Sequence, residues 1–225
     1  VQMVFQDPYG SLDPRHDVCT TISRPLLYQG VTDPREVRRR VLGAMEQVGL
    51  TPPEIYLDKH PHLLSGGQRQ RLCIARAIIL APRFLVADEP ISMLDVSIKW
   101  DIVRLLKRLV RERDIALVYI THDLATVRTI CDQIAIMYLG RIVEIGPAAE
   151  VLRRPAHPYT KALIASIPSP DPGTRREPAE IRGALGSAID KAAGCRFRER
   201  CLRAVGQCAV EEPMLAAAGV HRVAC

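Results

Sequence analysis

The stretch "RFLVADEP", Arg83–Pro90, decides the kind of fold that this chain adopts. Four apolar residues form a run of strand length, and two carboxylates, Asp88 and Glu89, follow it directly. This pattern is typical of a buried strand in a parallel sheet, where ligands bind beyond the carboxyl ends of the strands. One acid can hold Mg²⁺ while its neighbour polarises an attacking water. An isolated acidic pair that only caps a loop is the simpler alternative.

Apolar runs of strand length alternate with helical patterns on both sides of this stretch. They predict strands at 1–5, 84–87, 115–120, 133–138 and 141–145. Helices are predicted at 18–29, 33–48, 67–80, 96–113 and from 147 to about 153. The order indicates an α/β fold with a largely parallel sheet flanked by helices, in which residues 17–80 form a helical insertion.

Two further polar side chains follow predicted strands. Gln6 comes directly after the first strand, and His122 follows the strand at 115–120. Adjacent parallel strands that are separated by one helix place their ends side by side, so His122 is expected beside Glu89. Taken singly, a glutamine in this position is usually solvated and a histidine is usually structural.

Glycines open the predicted helix that begins near residue 67. In "LSGGQRQR", Leu64–Arg71, Ser65 can cap the helix, while Gly66 and Gly67 let an anion approach bare N–H groups at the positive end of its dipole. This geometry suits phosphate, although a plain capped helix would use the same residues. "SMLD" places another acid, Asp95, before the helix at 96–113.

These motifs, in this order, resemble the ATP-binding cassette (ABC) ATPases over about residues 1–168. The resemblance implies a P-loop NTPase-like (RecA-like) sheet core whose helical subdomain is the insertion at 17–80. It implies that Gln6 reaches Mg²⁺ and water, Asp88 serves Mg²⁺, Glu89 is the general base, and His122 binds the γ-phosphate of ATP. It further implies contact with a nucleotide across a dimer interface by Ser65, Gly66, Gly67, Gln68 and Asp95.

The phosphate-binding loop that this family needs is missing from the sequence. No G-x-x-x-x-G-K-[ST] motif occurs, nor any Gly-Lys dipeptide. We expect the loop to lie upstream of Val1, so that the full-length protein hydrolyses ATP whereas this chain alone does not. A non-hydrolysing subunit that only donates its "LSGGQ" segment is an alternative.

Three stretches resemble the ATP-binding subunits of oligopeptide and dipeptide importers, a branch that includes nickel importers: "VFQDPYGSLDPR", "HPHLLSGGQRQRLCIARAI" and "RRPAHPYTKALIASIP". The resemblance implies a second ATPase subunit, two integral membrane permease subunits and, indirectly, an extracytoplasmic substrate-binding protein as partners. It also implies a cytoplasmic location on the inner face of the cell membrane.

The C-terminal segment contains four cysteines in a C-x₅-C-x₆-C-x₁₆-C arrangement. A linker at 169–180 is predicted to precede an extension at 181–225, and the extension lacks the C-x₂₋₄-C knuckle that is usual at zinc sites. It resembles the extension of peptide-importer ATPases, some of which use such cysteines for a [4Fe–4S] cluster. Unligated thiols are the alternative reading for Cys195, Cys201, Cys208 and Cys225.

The charge of the chain leaves a second class of protein open. The net charge is +6 and the pI about 9.1, which would suit a soluble ABC ATPase that acts on nucleic acid or in translation. The basic runs are not interleaved with aromatic residues, which are only 4% of the chain. We therefore read them as solvated helix faces and expect no nucleic-acid partner.

Overall fold

The computed structural model describes residues 1–167, 181–183 and 193–225. These residues form two compact units, Val1–Ile130 and Cys131–Cys225. The predicted linker at 169–180 lies outside the described residues, as do residues 184–192 of the predicted extension.

The first unit is built on three parallel strands in the order β1-β2-β3. They are β1 (Gln2–Val4), β2 (Phe84–Asp88) and β3 (Ala116–Ile120). Val4 pairs with Ala87, and Asp88 pairs with Ile120, so the carboxyl ends of all three strands meet at one edge. The parallel α/β core predicted from the sequence is therefore confirmed.

Five helices accompany this sheet, and no strand interrupts residues 17–80. The helices are α1 (Val18–Tyr28), α2 (Pro34–Gln47), α3 (Gly66–Ile78), α4 (Val96–Arg113) and α5 (Leu124–Ile130). Short 3-10 helices at Pro53–Ile55 and Pro61–Leu63 lead into α3. The Asp33 carboxylate caps α2 by accepting from Arg35 N at 3.0 Å, an N–H that has no partner within the helix.

The core of this unit lies between the helices and β2. Ile22, Leu72, Leu85 and Leu106 are fully buried in one cluster, and burying each such side chain stabilises the fold by about 1.5–3 kcal/mol. One face of α4 is buried, formed by Ile102, Val103, Leu105, Leu106 and Leu109.

The second unit contains an antiparallel sheet in the order β4-β5-β7-β6. Its strands are β4 (Gln133–Tyr138), β5 (Arg141–Pro147), β6 (Ala216–Ala218) and β7 (His221–Val223). The predicted parallel sheet thus does not extend to β4 and β5. Only Leu139 and Gly140 connect them, both with positive φ, and a two-residue connection permits a hairpin but not a parallel crossover.

Two short helices, α6 (Ala148–Arg153) and α7 (Pro158–Ala165), follow β5. Helix α7 was not predicted from the sequence. Because β7 pairs with β5, residues on both sides of the predicted linker belong to the same unit. The domain boundaries proposed at 168 and 181 remain a prediction.

A buried carboxylate joins three parts of the second unit. Glu144 on β5 is fully buried, and it accepts hydrogen bonds from Ala156 N at 2.9 Å and His157 N at 3.0 Å, where α7 begins. His221 Nδ1 on β7 lies 3.0 Å from its Oε1 and donates to it, because an ionised carboxylate can only accept. Burial alone would raise the pKa of Glu144, but the N–H of Ala156, the nearby Thr160 hydroxyl, the N–H of His157 and the His221 ring outweigh it and lower the pKa.

We expect Glu144→Ala to destabilise the second unit by about 3 kcal/mol, because three buried donors lose their acceptor. The change should appear as faster amide hydrogen exchange throughout β5 and β7. Glu150→Ala is the matched control: it removes a surface carboxylate of α6 that pairs with Arg153, and should cost less than about 1 kcal/mol. Equal effects of the two substitutions would contradict the role given to Glu144.

Acid should destabilise the same unit in two steps. Burial lowers the pKa of His157, partly offset by Glu144, and the pKa of Glu144 is itself lowered. His157 therefore contributes stability above its ordinary pKa of 6.5, and Glu144 does so above its ordinary pKa of 4.5. Each contribution is lost as the pH falls through the lowered pKa of that group. Amide protection factors in β5 and β7, corrected for the intrinsic pH dependence of exchange, should fall as the pH is lowered from 8 to 3 in wild type, and Glu144→Gln should abolish the lower step.

Candidate functional site

Three predicted residues meet at the carboxyl edge of the parallel sheet, with Glu89 in the middle. Gln6 Nε2 donates to Glu89 Oε2 at 3.0 Å, and His122 Nδ1 lies 3.2 Å from Glu89 Oε1. Each carboxylate oxygen is thus held by the end of one neighbouring strand. The register of the strands explains the meeting, because Gln6 and Glu89 each lie two residues beyond the paired Val4 and Ala87.

The backbone at Glu89 is in an uncommon conformation, with φ +41°. Such a conformation costs about 1–3 kcal/mol in a residue other than glycine, and it persists only where its surroundings fix it. Here Glu89 N donates to Ile120 O at 2.9 Å, and Glu89 O accepts from Ser92 N at 3.1 Å and Ser92 Oγ at 3.0 Å. Strain held in this way at the end of a strand indicates a functional position for the carboxylate.

Asp88 ends β2 and lines an open cleft of about 820 Å³ together with Gln6. A carboxylate and an amide oxygen are ligands that suit Mg²⁺. Within the described parts of the chain, no three His, Cys, Asp or Glu side chains are grouped to hold a metal ion. The donor set fits an ion that takes one or two protein oxygens and completes its shell with phosphate and water, as Mg²⁺ does in nucleotide sites.

The segment Leu64–Gln68, here called the signature turn, begins α3 with a reciprocal cap. Ser65 Oγ accepts from Gln68 N at 3.3 Å, and Gln68 Oε1 accepts from Ser65 N at 2.9 Å. The side chain of each residue therefore accepts from the backbone N–H of the other and does not contact Glu89. Asp95 is exposed at the start of α4, where its backbone oxygen, but not its carboxylate, caps the helix.

The two glycines of the signature turn differ in what surrounds them. A Cβ on Gly67 would lie 2.8 Å from Ile98 Cγ2 of α4, a distance that side chains do not tolerate, whereas one on Gly66 would lie 3.6 Å from Leu94 Cδ2. From the sequence, both glycines were expected to lack a side chain so that an anionic ligand could approach the backbone N–H groups. At Gly67 the structure adds another reason, the close packing of α3 against α4.

The four C-terminal cysteines are free thiols that lie close together. Cys201 Sγ accepts from Arg203 N at 3.4 Å, and the backbone N–H groups of Phe197 and Arg198 lie near the Cys195 sulfur. The pKa of the Cys195 thiol is raised, first by burial and then by Cys208 and Cys201. The pKa of the Cys225 thiol is raised in the same way, by burial and then by the other three thiols.

Two kinds of residue near the site were missed from the sequence. Ser92 fixes the turn at Glu89, and its position three residues further on was a usable signal, because serine often bonds back to backbone at that spacing. Arg69 and Arg76 of α3 contact the loop after Gln6. Only their spacing along one helical face could have pointed to them.

Comparisons with known proteins agree with this geometry. The family described as "ABC transporter" matches residues 1–92, and the family described as "Oligopeptide/dipeptide transporter, C-terminal region" matches residues 143–208. The oligopeptide transport ATP-binding protein OppF of Salmonella typhimurium is 45% identical over 228 residues, which cover 100% of this chain and 68% of OppF. The chain belongs to the ABC transporter ATP-binding proteins.

Two other proteins place the chain within this family. The dipeptide transport ATP-binding protein DppF of Haemophilus influenzae is 43% identical, over 96% of this chain and 65% of DppF. An ATP-binding cassette solved as a dimer in a post-hydrolysis state, bound to ADP and Pi, has a TM-score of 0.57 and 30% identity, covering 65% of this chain and 62% of that one.

The chain spans about two thirds of the length of these ABC relatives. The comparisons confirm the predicted family, the P-loop NTPase-like fold and the predicted class of protein, an ATP-binding subunit of the oligopeptide and dipeptide branch. No helix in the described residues combines the length and the apolar character needed to cross a membrane.

Gly67→Ala should lower the free energy of unfolding by about 1–3 kcal/mol, because the new methyl group overpacks the contact with Ile98. Gly66→Ala is the control, since alanine favours the helix equally at both positions and meets only an ordinary contact at 66. Adding Ile98→Ala should relieve part of the Gly67→Ala loss in urea unfolding. If the two glycine variants were equally stable, Gly67 would have no special packing role.

Proposed function

We propose that the protein binds and hydrolyses ATP to energise the import of oligopeptides, dipeptides or related cargo such as nickel through a membrane ABC transporter. The observation that carries the proposal is the Glu89 carboxylate, held by Gln6 and His122 at the ends of three adjacent strands. The similarity of the chain to oligopeptide and dipeptide transport ATP-binding proteins supports peptides as the class of cargo.

The residues around Glu89 supply the parts that hydrolysis of a phosphoanhydride needs. Glu89 takes a proton from the water that attacks the γ-phosphorus, as the bond to the ADP oxygen breaks. His122, when both ring nitrogens carry protons, donates to a phosphate oxygen while it still holds Glu89. Gln6 uses Nε2 for Glu89, so its Oε1 faces the water or the metal.

Asp88, with Gln6, would hold Mg²⁺, which neutralises charge on the phosphates when it is bound. The chain's own contribution is to position these groups before the reaction. Positioning and electrostatics supply most of the catalysis in phosphoryl transfer, so fixed geometry at Glu89 matters more than any covalent step.

A second ATPase subunit would complete each site. The signature turn offers the N-terminal N–H groups of a 13-residue helix, and the exposed Asp95 lies at the start of α4. Both are suited to contact a nucleotide held by another subunit, and a relative is known as a dimer. The proposed assembly also contains two permease subunits and an extracytoplasmic substrate-binding protein that acts through them. The ATPase subunits would lie on the cytoplasmic face of the membrane.

Glu89→Gln tests the catalytic assignment in protein expressed from the complete reading frame. We expect kcat for ATP hydrolysis to fall at least about 100-fold while ATP binding is retained, because the amide cannot accept the proton. Glu112→Gln, an exposed change on α4, should leave kcat unaltered. Wild-type protein without ATPase activity would instead favour the signature-donating subunit that the missing G-x-x-x-x-G-K-[ST] motif suggests.

We further propose that the four C-terminal cysteines hold a [4Fe–4S] cluster. The proposal rests on the nearness of the four thiols, since the other three raise the pKa of the Cys225 thiol. Within the described residues, no three His, Cys, Asp or Glu side chains are grouped to hold a metal ion. In a cluster each thiolate binds a different iron, so the sulfurs lie farther apart than they do around one ion. The N–H groups directed at Cys195 and Cys201, and Arg203 near Cys225, would stabilise negative sulfur.

Anaerobically purified protein should contain about four irons per chain and show a broad visible absorption band. Cys201→Ser should remove both signals. Cys131→Ser, which changes a half-buried cysteine outside the group, should keep them. Full thiol reactivity in wild-type protein without iron would mean that the cysteines are unligated.

A further inference from the structure

One face of α3 is devoted to the loop that follows Gln6. Arg69, Cys73 and Arg76 follow the i, i+4, i+7 spacing of a single helical face. The guanidinium carbon of Arg69 lies 3.9 Å from the ring centroid of Tyr9. Arg76 Nη1 donates to Ser11 O at 2.6 Å, and Cys73 Sγ lies 3.5 Å from Ser11 Oγ.

The loop itself, Gln6–Ser11, is tightly folded. Asp7 Oδ1 accepts from Tyr9 N at 2.8 Å, and Asp7 O accepts from Ser11 N at 3.1 Å. A Cβ at Gly10 would lie 2.8 Å from Asp7 Oδ2, so Asp7 would have to move to admit a side chain there. These hydrogen bonds tie Tyr9 and Ser11 to Asp7, the residue that directly follows Gln6.

Arg69 is also bonded to the signature turn. Its Nε and Nη2 both donate to Leu64 O, at 3.0 and 2.6 Å, directly before the capping Ser65. One guanidinium group thus lies on the Tyr9 ring and holds the last carbonyl before the cap. This connects Gln6, which holds Glu89, to the start of α3 through a short series of direct contacts.

We infer that Arg69 and Tyr9 are positioning residues that fix the signature turn relative to Gln6. This inference rests on the proposed function, in which Gln6 serves one nucleotide and the signature turn serves the other. In a dimer each chain then joins the two ATP sites mechanically, and closure of one site orients Gln6 and Glu89 in the other. Neither residue touches a reacting atom.

Protein from the complete reading frame tests this with Tyr9→Leu, Arg69→Met and the double variant. Tyr9→Leu keeps apolar bulk but removes the ring that attracts the cation, and Tyr9 is 58% exposed, so folding should survive. Each single change should lower kcat about two- to fivefold, the factor that an exposed cation–π contact supplies. The Hill coefficient for ATP should fall towards one, and the double variant should be no worse than Arg69→Met.

Two matched variants guard against a general effect on folding. Tyr9→Phe keeps the ring and should retain wild-type kcat and cooperativity. Tyr28→Leu removes another exposed tyrosine, whose ring lies 6.0 Å from the Arg24 guanidinium carbon on α1, and should change neither quantity. Wild-type behaviour of Tyr9→Leu, or effects of the two single changes that multiply in the double variant, would overturn the inference.

A second readout separates this inference from the proposed function. Amide hydrogen exchange at residues 65–69 should accelerate in Tyr9→Leu but not in Tyr9→Phe, whether or not ATP is hydrolysed. Absence of Glu89-dependent ATPase activity would refute the proposed function. Unchanged exchange at the signature turn would refute the link between Tyr9 and Arg69.

Discussion

The parallel register of β1, β2 and β3 is the constraint on which the catalytic geometry depends. It aligns Val4 with Ala87 and Asp88 with Ile120, so that three side chains from distant parts of the sequence end within hydrogen-bond distance. A slip of one residue in either pairing would turn the side chains of that strand to the opposite face and separate Glu89 from a partner. The strained backbone at Glu89 persists because the same register supplies Ile120 O as its acceptor.

Helix α3 makes three kinds of contact, one at its first turn and two on different faces. Ser65 and Gln68 cap its first turn reciprocally. One face is buried in the core through Leu72, Ile74 and Ile78, and another face contacts the loop Gln6–Ser11. A helix is stiff along its axis, so a change at its first turn cannot remain local. Because Gly67 lets α4 approach, the start of α3 also packs against Ile98 in the first turn of that helix.

The sequence allowed the sheet, the helical insertion and the place of His122 beside Glu89 to be predicted, because strand length and polar strand ends are local patterns. It did not reveal that β4 and β5 form a hairpin in a separate sheet, although the two-residue connection at Leu139 and Gly140 carried that information. The second reason for Gly67 was also out of reach. Its partner Ile98 is 31 residues away, and the contact exists only after two helices pack. The contact of Arg69 with the Tyr9 ring could not be predicted for the same reason, since it forms only when α3 packs against the loop after Gln6.

The C-terminal extension shows why a small unit needs strong local interactions. β6 consists of three exposed alanines, and β7 buries only His221 and Val223, so apolar burial contributes little to holding these strands in place. Glu144 compensates, since a buried carboxylate with three donors is costly to disturb. At the other end of the extension, Gly194 has φ +86° and packs so closely on Cys208 O that a side chain would not fit. This close approach keeps the backbone of Cys195 beside that of Cys208, where Cys195 N donates to Cys208 O at 2.8 Å.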